Sequence, residues 1–431
     1  MHNLGNGRRV AIVAGVRTPF VKSGTLFRRM TATQLGRLCV AELLHRTAID
    51  GKEVTALIFG TVVPSVLEPN IAREVSLMPM LPKGCEAYTV SRACASANQA
   101  ITDAADQILL GHHDCVIAGG SESLSNVPIL HSRGLTDILL TASKARTMPQ
   151  RLQAFAKIRP RDLIPITPAI AEPTTGETMG QSAEKMAKIN AIPRDEQDQF
   201  ALRSHRMAAA GTSDGRLTAE IAPVYVPPKY ETVATTDNGI RTDTTLEALA
   251  SLKPVFDKRY GSVTAGNASP LTDGAGAILL MEAEKAKALG YEPIGYIRSY
   301  AYAALDPGEQ LLQAPVLAAP MALHRAGLTL KDMDLIEIHE AFAAQVLSNL
   351  KGFESQMWAE RAGFSKPVGT VDRAKLNVMG GSIALGHPFG ATGARITTTL
   401  CNELQRRGGQ FGLMTVCAAG GMGFAMVVER A

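Results

Sequence analysis

The chain holds a single tryptophan in 431 residues, and all its aromatics together make up only 5% of it. Large rings therefore cannot carry the packing. The apolar 46% is instead rich in alanine beside 39 glycines, a composition that suits helices lying tightly on a sheet. No apolar run reaches the roughly 18 residues that a membrane-spanning helix needs. The segment Met1–Arg9 has no long apolar stretch, and Val10–Ala14 is too short for a signal-peptide core and reads better as a strand. Charge of one sign is also missing: 44 Lys and Arg face 40 Asp and Glu, a net +4. Nucleic acid is not expected as a partner, while a mildly basic surface suits an anionic, phosphorylated substrate. There are only six cysteines, at 39, 85, 94, 115, 401 and 417, and no pair has CxxC spacing. Neither a metal site nor a disulfide framework is expected. Reduced thiols in a chain of this size point to the cytosol.

A chain of this length calls for two or three domains. Its opening part alternates strands and helices. A strand is expected at 9–15 and a helix at 32–44 with Leu35, Leu38, Cys39 and Leu43 on one face. Strands follow at 56–63 and 88–91. A helix at 95–110 ends at Gly111, and a strand at 115–118 ends at Gly119-Gly120. The last third repeats this grammar. Residues 377–379 lead into a glycine-rich turn, a helix at 391–406 stops at Gly408-Gly409, and a strand at 412–416 runs into Ala418-Ala419-Gly420-Gly421. We read an α/β fold built on an internal duplication. One unit spans 1–127 plus 249–292 and the other 293–431. Residues 128–248 form an inserted, Pro-rich and polar domain with helices at 177–188 and 194–210. Within it, 133–161 carries seven Lys or Arg (133, 144, 146, 151, 157, 159 and 161) and one acid, Asp137. Leu139, Leu140, Met148, Leu152, Phe155 and Ile158 are interleaved. This stretch is a solvated basic face, or a contact for the phosphates of an anionic substrate, a partner subunit or an anionic membrane surface.

Two cysteines stand apart from the rest. Cys94 lies in Val90-Ser91-Arg92-Ala93-Cys94-Ala95-Ser96-Ala97. There a short strand enters a turn of small residues and then a helix. The helix terminus favours a thiolate, the turn exposes a nucleophile as a strand-to-helix elbow does, and its backbone N–H groups suit an oxyanion. Cys39, Cys115 and Cys401 read as small core hydrophobes. Cys417 ends a strand before Ala418-Ala419-Gly420-Gly421; it is either a core cysteine or a second thiol that moves a proton near carbon. His387 sits in Gly386-His387-Pro388-Phe389-Gly390-Ala391-Thr392-Gly393, where glycines let backbone approach a ligand. It suits a general base for a thiol or a donor to an enolate. His339 ends a strand at 335–338, in His339-Glu340-Ala341-Phe342, and is ambiguous alone. Together, two thiols, two histidines and Gly/Ala-rich backbone are the parts for acyl transfer through a thioester.

These segments, with Gly261-Ser262-Val263-Thr264-Ala265-Gly266-Asn267-Ala268-Ser269-Pro270-Leu271-Thr272-Asp273-Gly274-Ala275, resemble the thiolase family in order over nearly the whole chain. Arg161-Asp162-Leu163-Ile164-Pro165 and the His339 box are further similar to the bacterial anaerobic-type 3-ketoacyl-CoA thiolase (β) subunit of the fatty-acid β-oxidation trifunctional complex. The resemblance implies two similar five-stranded mixed sheets in a layered α/β/α/β/α core, with an inserted loop domain. It implies a ping-pong thiolysis of 3-ketoacyl-CoA through acyl-Cys94. His387 would activate the thiol, Cys417 would exchange protons with acetyl-CoA and CoA, and His387 with His339, the latter through a water, would hold the enolate oxygen. The N–H groups of Cys94 and Ala419 would hold the tetrahedral oxyanion. Met179, Ser269, Ala341 and Phe342 match the pantetheine-contact pattern. CoA is a co-substrate, and no cofactor is expected to stay bound. Position 339 departs from the commoner Asn, and a His there is expected to titrate. Position 419 is Ala where many members have Gly.

The resemblance also implies a homodimer within a heterotetramer, paired with an α subunit carrying hydratase and dehydrogenase activities, in the cytoplasm and at most peripheral to a membrane. Three other readings stay open. A biosynthetic acetoacetyl-CoA thiolase would use the same residues. A decarboxylating ketosynthase would use Cys94, His339 and His387 but has no need of Cys417. A docking subunit would not turn over.

Overall fold

In the computed structural model, residues 7–166 and 171–431 are described. Residues 1–6 of the N-terminal segment read above lie outside them. Among the described residues no helix is long and apolar enough to cross a membrane.

The first half contributes β1 (Val10–Arg17), α1 (Ala32–Thr47), β2 (Ala56–Gly60), β3 (Glu86–Val90), α2 (Ser96–Leu109) and β4 (Cys115–Glu122). The middle carries α3 (Arg133–Lys144), α4 (Met148–Phe155), α5 (Met179–Ile189) and α6 (Arg194–Ser213). Then come β5 (Thr272–Glu282), β6 (Gly295–Ala304), α7 (Pro315–Ala326), β7 (Leu335–Ile338), α8 (Ala343–Phe353), α9 (Thr392–Arg407), β8 (Phe411–Ala418) and β9 (Met422–Glu429).

The first sheet runs β1-β5-β4-β2-β3 and the second β7-β8-β9-β6. Both are mixed: β2 is parallel to β3 and β4, and β7 is parallel to β8, while the remaining neighbours are antiparallel. The duplication is therefore real in three dimensions. Five strands were expected in each sheet. In the second, the fifth is a short ladder beside β7, in which Ile336 N–H donates to Lys375 O and Asn377 N–H to Ile336 O, both at 2.9 Å. The two sheets also join edge to edge, because β1 pairs with β6 through Ala11↔Tyr296 and Ile12↔Gly295.

Helices α2 and α9 lie between the sheets and α1 covers the outer face of the first, while α7 and α8 cover the outer face of the second. Small residues permit the central layer. Ala97, Ala100, Ala104 and Ala105 of α2 and Ala394 of α9 are fully buried there. A Cβ on Gly393 would come within 2.2 Å of Asn98 Oδ1. Local signals set the ends of the helices. Thr31 with Gln34 and Thr178 with Gln181 form capping boxes at α1 and α5, and Gly408 closes α9 at φ +67°.

Some expectations shift. Leu38 is exposed, because α1 buries the stripe Leu35, Gly36, Cys39, Val40, Leu43 and Leu44 and Leu38 flanks it. Strand β4 does not stop at Gly119-Gly120 but passes through them to Glu122. A Cβ on Gly119 would strike Gly276 O and one on Gly120 would strike Gly390 O, each at 2.0 Å. These glycines serve close approach rather than a turn. Strand β8 likewise continues past Val416 to Ala418.

The middle segment is tied to the first sheet by charge. Arg17, fully buried at the end of β1, donates to Asp237 Oδ1 and Oδ2 at 2.6 and 2.8 Å. Asp237 also accepts from Phe20 N–H, at 2.7 Å. Asp237→Ala would leave a buried guanidinium without its main partner, at a cost of about 3–5 kcal/mol. The expected result is a lower midpoint of guanidinium chloride unfolding. An unchanged midpoint would show that the pair does not hold the segment.

Candidate active site

Four chain segments converge where strand ends of both sheets meet. Cys94 stands just before α2, in a turn that sets Ala93 at φ +45°. A non-glycine residue in that region is strained, and here the strain aims the next side chain outward from the strand–helix corner. The turn is held by Ser96 Oγ, which accepts from Arg92 N–H at 2.8 Å and donates to Ala93 O at 2.6 Å. His339 follows β7, and its N–H donates to Thr415 O of β8 at 2.9 Å. His387 comes from the glycine loop before α9, and its N–H donates to Pro270 O at 3.2 Å. Cys417 is the penultimate residue of β8 and is buried.

The sulfur of Cys94 and one ring nitrogen each of His339 and His387 lie within 4.8 Å of one another. The two imidazoles are 4.2 Å apart between centroids. In each ring Nδ1 is already engaged, His339 with Ser382 Oγ at 3.1 Å and His387 with Thr392 Oγ1 at 2.7 Å. In each, Nε2 is buried without a partner. Two orphaned nitrogens beside a thiol are reserved polar capacity, since buried polar atoms are otherwise paired. Three such donor atoms also form a set that a soft cation would fit. Their assembly is accounted for by the thiol chemistry below.

Electrostatics make this a neutral site. Burial pushes the Cys94 thiol up to about 12, against the pull of two backbone N–H groups, those of Ala419 and of Cys94 itself. Those N–H groups are the pair that the family resemblance implies for an oxyanion. Burial, with the nearby Arg395 charge, brings His387 down to about 3. Burial, then His387 and Arg395, hold His339 well below the usual histidine range. The expectation that His339 titrates is therefore corrected: it stays neutral through the physiological range. Burial and the neighbouring Cys94 raise the Cys417 thiol well above its usual value. Cys417 thus shares the electrostatic environment of Cys94 while standing outside the Cys94–His339–His387 triangle.

The four expected CoA contacts also gather. Ser269 N–H donates to Ala341 O at 2.9 Å, and Ala268 bridges to Phe342. Phe342 meets Phe256 edge to face, with centroids 6.1 Å apart. Met179 begins α5, and Phe256 lies so close on Gly180 that a Cβ there would come 2.0 Å from the ring. Met179, Phe256, Ala268 and Phe342 are all half-buried against the same core.

Sequence reading missed the residues behind this front row. Glu122 ends β4 fully buried, and its carboxylate accepts from Thr61 Oγ1, Val62 N–H, Val63 N–H and Gly390 N–H at 2.9–3.0 Å. It clamps the His387 loop to the end of β2. Asn377, at φ +44°, bonds both the N–H and the C=O of Ile338 and the Glu340 carboxylate, fixing the approach to His339. Glu340 accepts from Ser204 Oγ and Ile383 N–H. From the middle segment, Glu172 accepts from Gly420 N–H at 2.9 Å, next to the Ala419 donor. An acid closing an all-buried strand was the one visible signal, at Glu122.

The basic stretch forms α3 and α4, which pack on each other and on the 160–163 turn. Leu135, Ala142 and Ala154 are buried, whereas Leu139, Leu140, Met148, Leu152 and Phe155 are exposed. None of these residues reaches the Cys94–His339–His387 triangle.

Comparison with known proteins agrees with this geometry. Residues 10–284 match the family described as thiolase, N-terminal domain, and residues 291–430 match thiolase, C-terminal domain. The chain is 50% identical over 424 residues to a 3-ketoacyl-CoA thiolase of Yersinia enterocolitica, covering 98% of this chain and 97% of that protein. Among solved structures it resembles the acetyl-CoA acetyltransferase of Bacillus anthracis, with TM-score 0.83 and 34% identity over 98% and 99% of the two chains. It also resembles the human mitochondrial 3-ketoacyl-CoA thiolase solved in complex with CoA, with TM-score 0.82 and 32% identity over 98% of each chain.

A neutral thiol beside a neutral imidazole has a kinetic signature. Alkylation of Cys94 by iodoacetamide should accelerate roughly tenfold per pH unit from pH 7 to 10 without a plateau, since only the thiolate reacts. Mass spectrometry of the Cys94 peptide gives the rate. A plateau beginning between pH 5 and 8 would reveal a preformed thiolate–imidazolium pair and overturn this account.

Proposed function

The chain belongs to the thiolase family, and we propose that it cleaves 3-ketoacyl-CoA as the β subunit of a fatty-acid β-oxidation complex. It is a CoA-dependent acyltransferase working through an acyl-cysteine. The observation that carries this reading is the triangle of Cys94, His339 and His387, with backbone N–H groups of Cys94 and Ala419 turned to the same sulfur.

In the proposed cycle, Cys94 Sγ attacks the 3-keto carbon as its proton passes to His387 Nε2. With the thiol high and the imidazole low in basicity, this transfer accompanies S–C bond formation rather than preceding it. The N–H groups of Cys94 and Ala419 receive the oxyanion. Removing one such donor typically costs about 2.7–4 kcal/mol of barrier. The C2–C3 bond then breaks, and its electron pair becomes the enolate of acetyl-CoA. His339 and His387 hold the enolate oxygen, and the Cys417 thiol protonates C2. The Cys417 thiolate next takes the proton of an incoming CoA thiol, whose sulfur displaces Cys94 from the acyl group, and the leaving Cys94 thiolate recovers its proton from His387. Met179, Ser269, Ala341 and Phe342, with Phe256, would seat the pantetheine arm. The CoA bound in the similar human enzyme supports that assignment. Residues 1–127 with 249–292 and residues 293–431 would be the two catalytic units, with 128–248 inserted.

The β-oxidation role rests on the 50% identity to 3-ketoacyl-CoA thiolases over nearly the whole chain. Pairing with a hydratase/dehydrogenase α subunit around a homodimer, in the cytoplasm, rests on the resemblance carried by Arg161–Pro165 and the His339 box, and the exposed apolar residues and seven basic residues of 133–161 offer a surface for a partner or for peripheral membrane contact. Such a surface fits a partner or an anionic bilayer.

Thiolysis of 3-ketohexadecanoyl-CoA should outpace that of acetoacetyl-CoA, and Cys94→Ala should lower it by on the order of 10⁴-fold or more. Activity confined to acetoacetyl-CoA would favour the biosynthetic reading, and retained turnover in Cys94→Ala would revive the docking subunit.

The surface is tested on its own. Native lysate should yield the chain bound to a second, larger enzyme subunit; a monodisperse homodimer there would count against the pairing. Changing the seven basic residues of 133–161 to Gln should reduce flotation with phosphatidylglycerol-containing liposomes, and unchanged flotation would remove lipid from the role of that stretch.

A further inference from the structure

We infer that Ser382, held by Arg395, locks the tautomer of His339, so that His339 faces the substrate as an N–H donor and not as a base. This rests on the reading that His339 meets the enolate oxygen. Ser382 opens a short helix, Ser382–Leu385, and both it and His339 are fully buried. Its hydroxyl lies 3.1 Å from His339 Nδ1 and receives Arg395 Nη2–H at 3.1 Å.

A guanidinium only donates, so Ser382 Oγ must accept from Arg395. Its own hydrogen then has one recorded partner left, His339 Nδ1. If Nδ1 carried a proton instead, both neighbours would donate to the serine and its O–H would be buried without an acceptor. The favoured arrangement is Arg395 Nη2–H to Ser382 Oγ, and Ser382 O–H to His339 Nδ1. The ring proton then sits on Nε2, the nitrogen left without a partner at the site. The Arg395 charge, 3.7 Å from Glu337, also opposes a second proton on the imidazole. His387 is wired differently. Its Nδ1 meets Thr392 Oγ1, and no arginine bonds that hydroxyl, which leaves Nδ1–H free to donate and Nε2 free to accept the Cys94 proton. Two imidazoles 4.2 Å apart thus take opposite parts.

Ser382 touches no reacting atom on this account and is a positioning residue. The two halves of the cycle separate its effect from a loss of fold. Carbon–carbon cleavage needs the enolate donor, whereas exchange of labelled CoA into an acyl-CoA uses Cys94, His387 as its base, Cys417 and the Cys94/Ala419 N–H groups, and forms no enolate. Ser382→Ala should slow thiolysis of 3-ketohexadecanoyl-CoA by roughly 10- to 100-fold, the range for a weakened oxyanion donor. Exchange between hexadecanoyl-CoA and CoA should change by no more than about 2-fold, within the scatter of a single mutant. In a His339→Asn background, where an amide has no tautomer to lock, Ser382→Ala should add nothing to the loss. Long-range 15N–1H spectra of histidine-labelled protein should show His339 protonated on Nε2 in the wild type and as a mixture in Ser382→Ala. Equal loss in both reactions, persistence of the loss in His339→Asn, or an Nδ1–H wild-type ring would each overturn the inference. Wild-type protein that exchanges CoA but does not cleave 3-ketoacyl-CoA would instead sink the proposed function.

Discussion

The catalytic centre depends on one backbone contact between the two halves. Gly120, near the end of β4, lies so close to Gly390 O that a Cβ would come within 2.0 Å of it, and within 2.5 Å of Gly60 O. Three strand and loop ends from distant parts of the chain therefore share a space with no room for side chains. Glu122 closes the joint by accepting from Gly390 on one side and from Val62 and Val63 on the other. His387 rides on the loop fixed this way, and Cys94 on the turn that leads into α2, the helix packed against that loop. Their separation follows from backbone geometry, which leaves His387 Nε2 without a partner and available to the Cys94 proton.

The same closure buries both histidines, and burial decides the chemistry. In water a thiol and an imidazole have pKa values about 2 units apart. Here burial drives them in opposite directions, toward about 12 for Cys94 and about 3 for His387. The resting pair stores no charge. Charge arises only as substrate reacts, where fixed N–H groups already point to receive it, and no solvent must rearrange at that moment. Arg395 adds a buried positive field behind both rings, which keeps them neutral and able to exchange protons with substrate.

Much of this was legible in the sequence, and the parts that were not have a common cause. Strand β7 falls on the residues expected, and the strand–turn–helix around Cys94 could be read because all its determinants are contiguous. His387 was visible through its glycines. The roles of Ser382 and Arg395 were not, because their meaning lies in a bond across 13 residues and another across 43. Glu122 reaches Gly390 across 268. The behaviour of His339 was misjudged for the same reason: a residue type suggests titration, and only enclosure forbids it. At Gly119-Gly120, glycine was taken as a stop when it was needed for contact. A pair of glycines reads alike in a turn and in a crowded strand until the crowding neighbour is known.

The position of β1 carries a cost during synthesis. Strand β1 lies not at an edge but in the interior of the continuous sheet, flanked by β5 and β6, both far later in the chain. Val10 pairs with Glu282 and Ala11 with Tyr296. No local partner can satisfy its backbone, so the nascent segment waits with both hydrogen-bonding edges open until most of the polypeptide has emerged. Such a wait invites pairing with other chains, which makes the early biosynthetic intermediate, and not the finished enzyme, the form most exposed to aggregation and most dependent on chaperones.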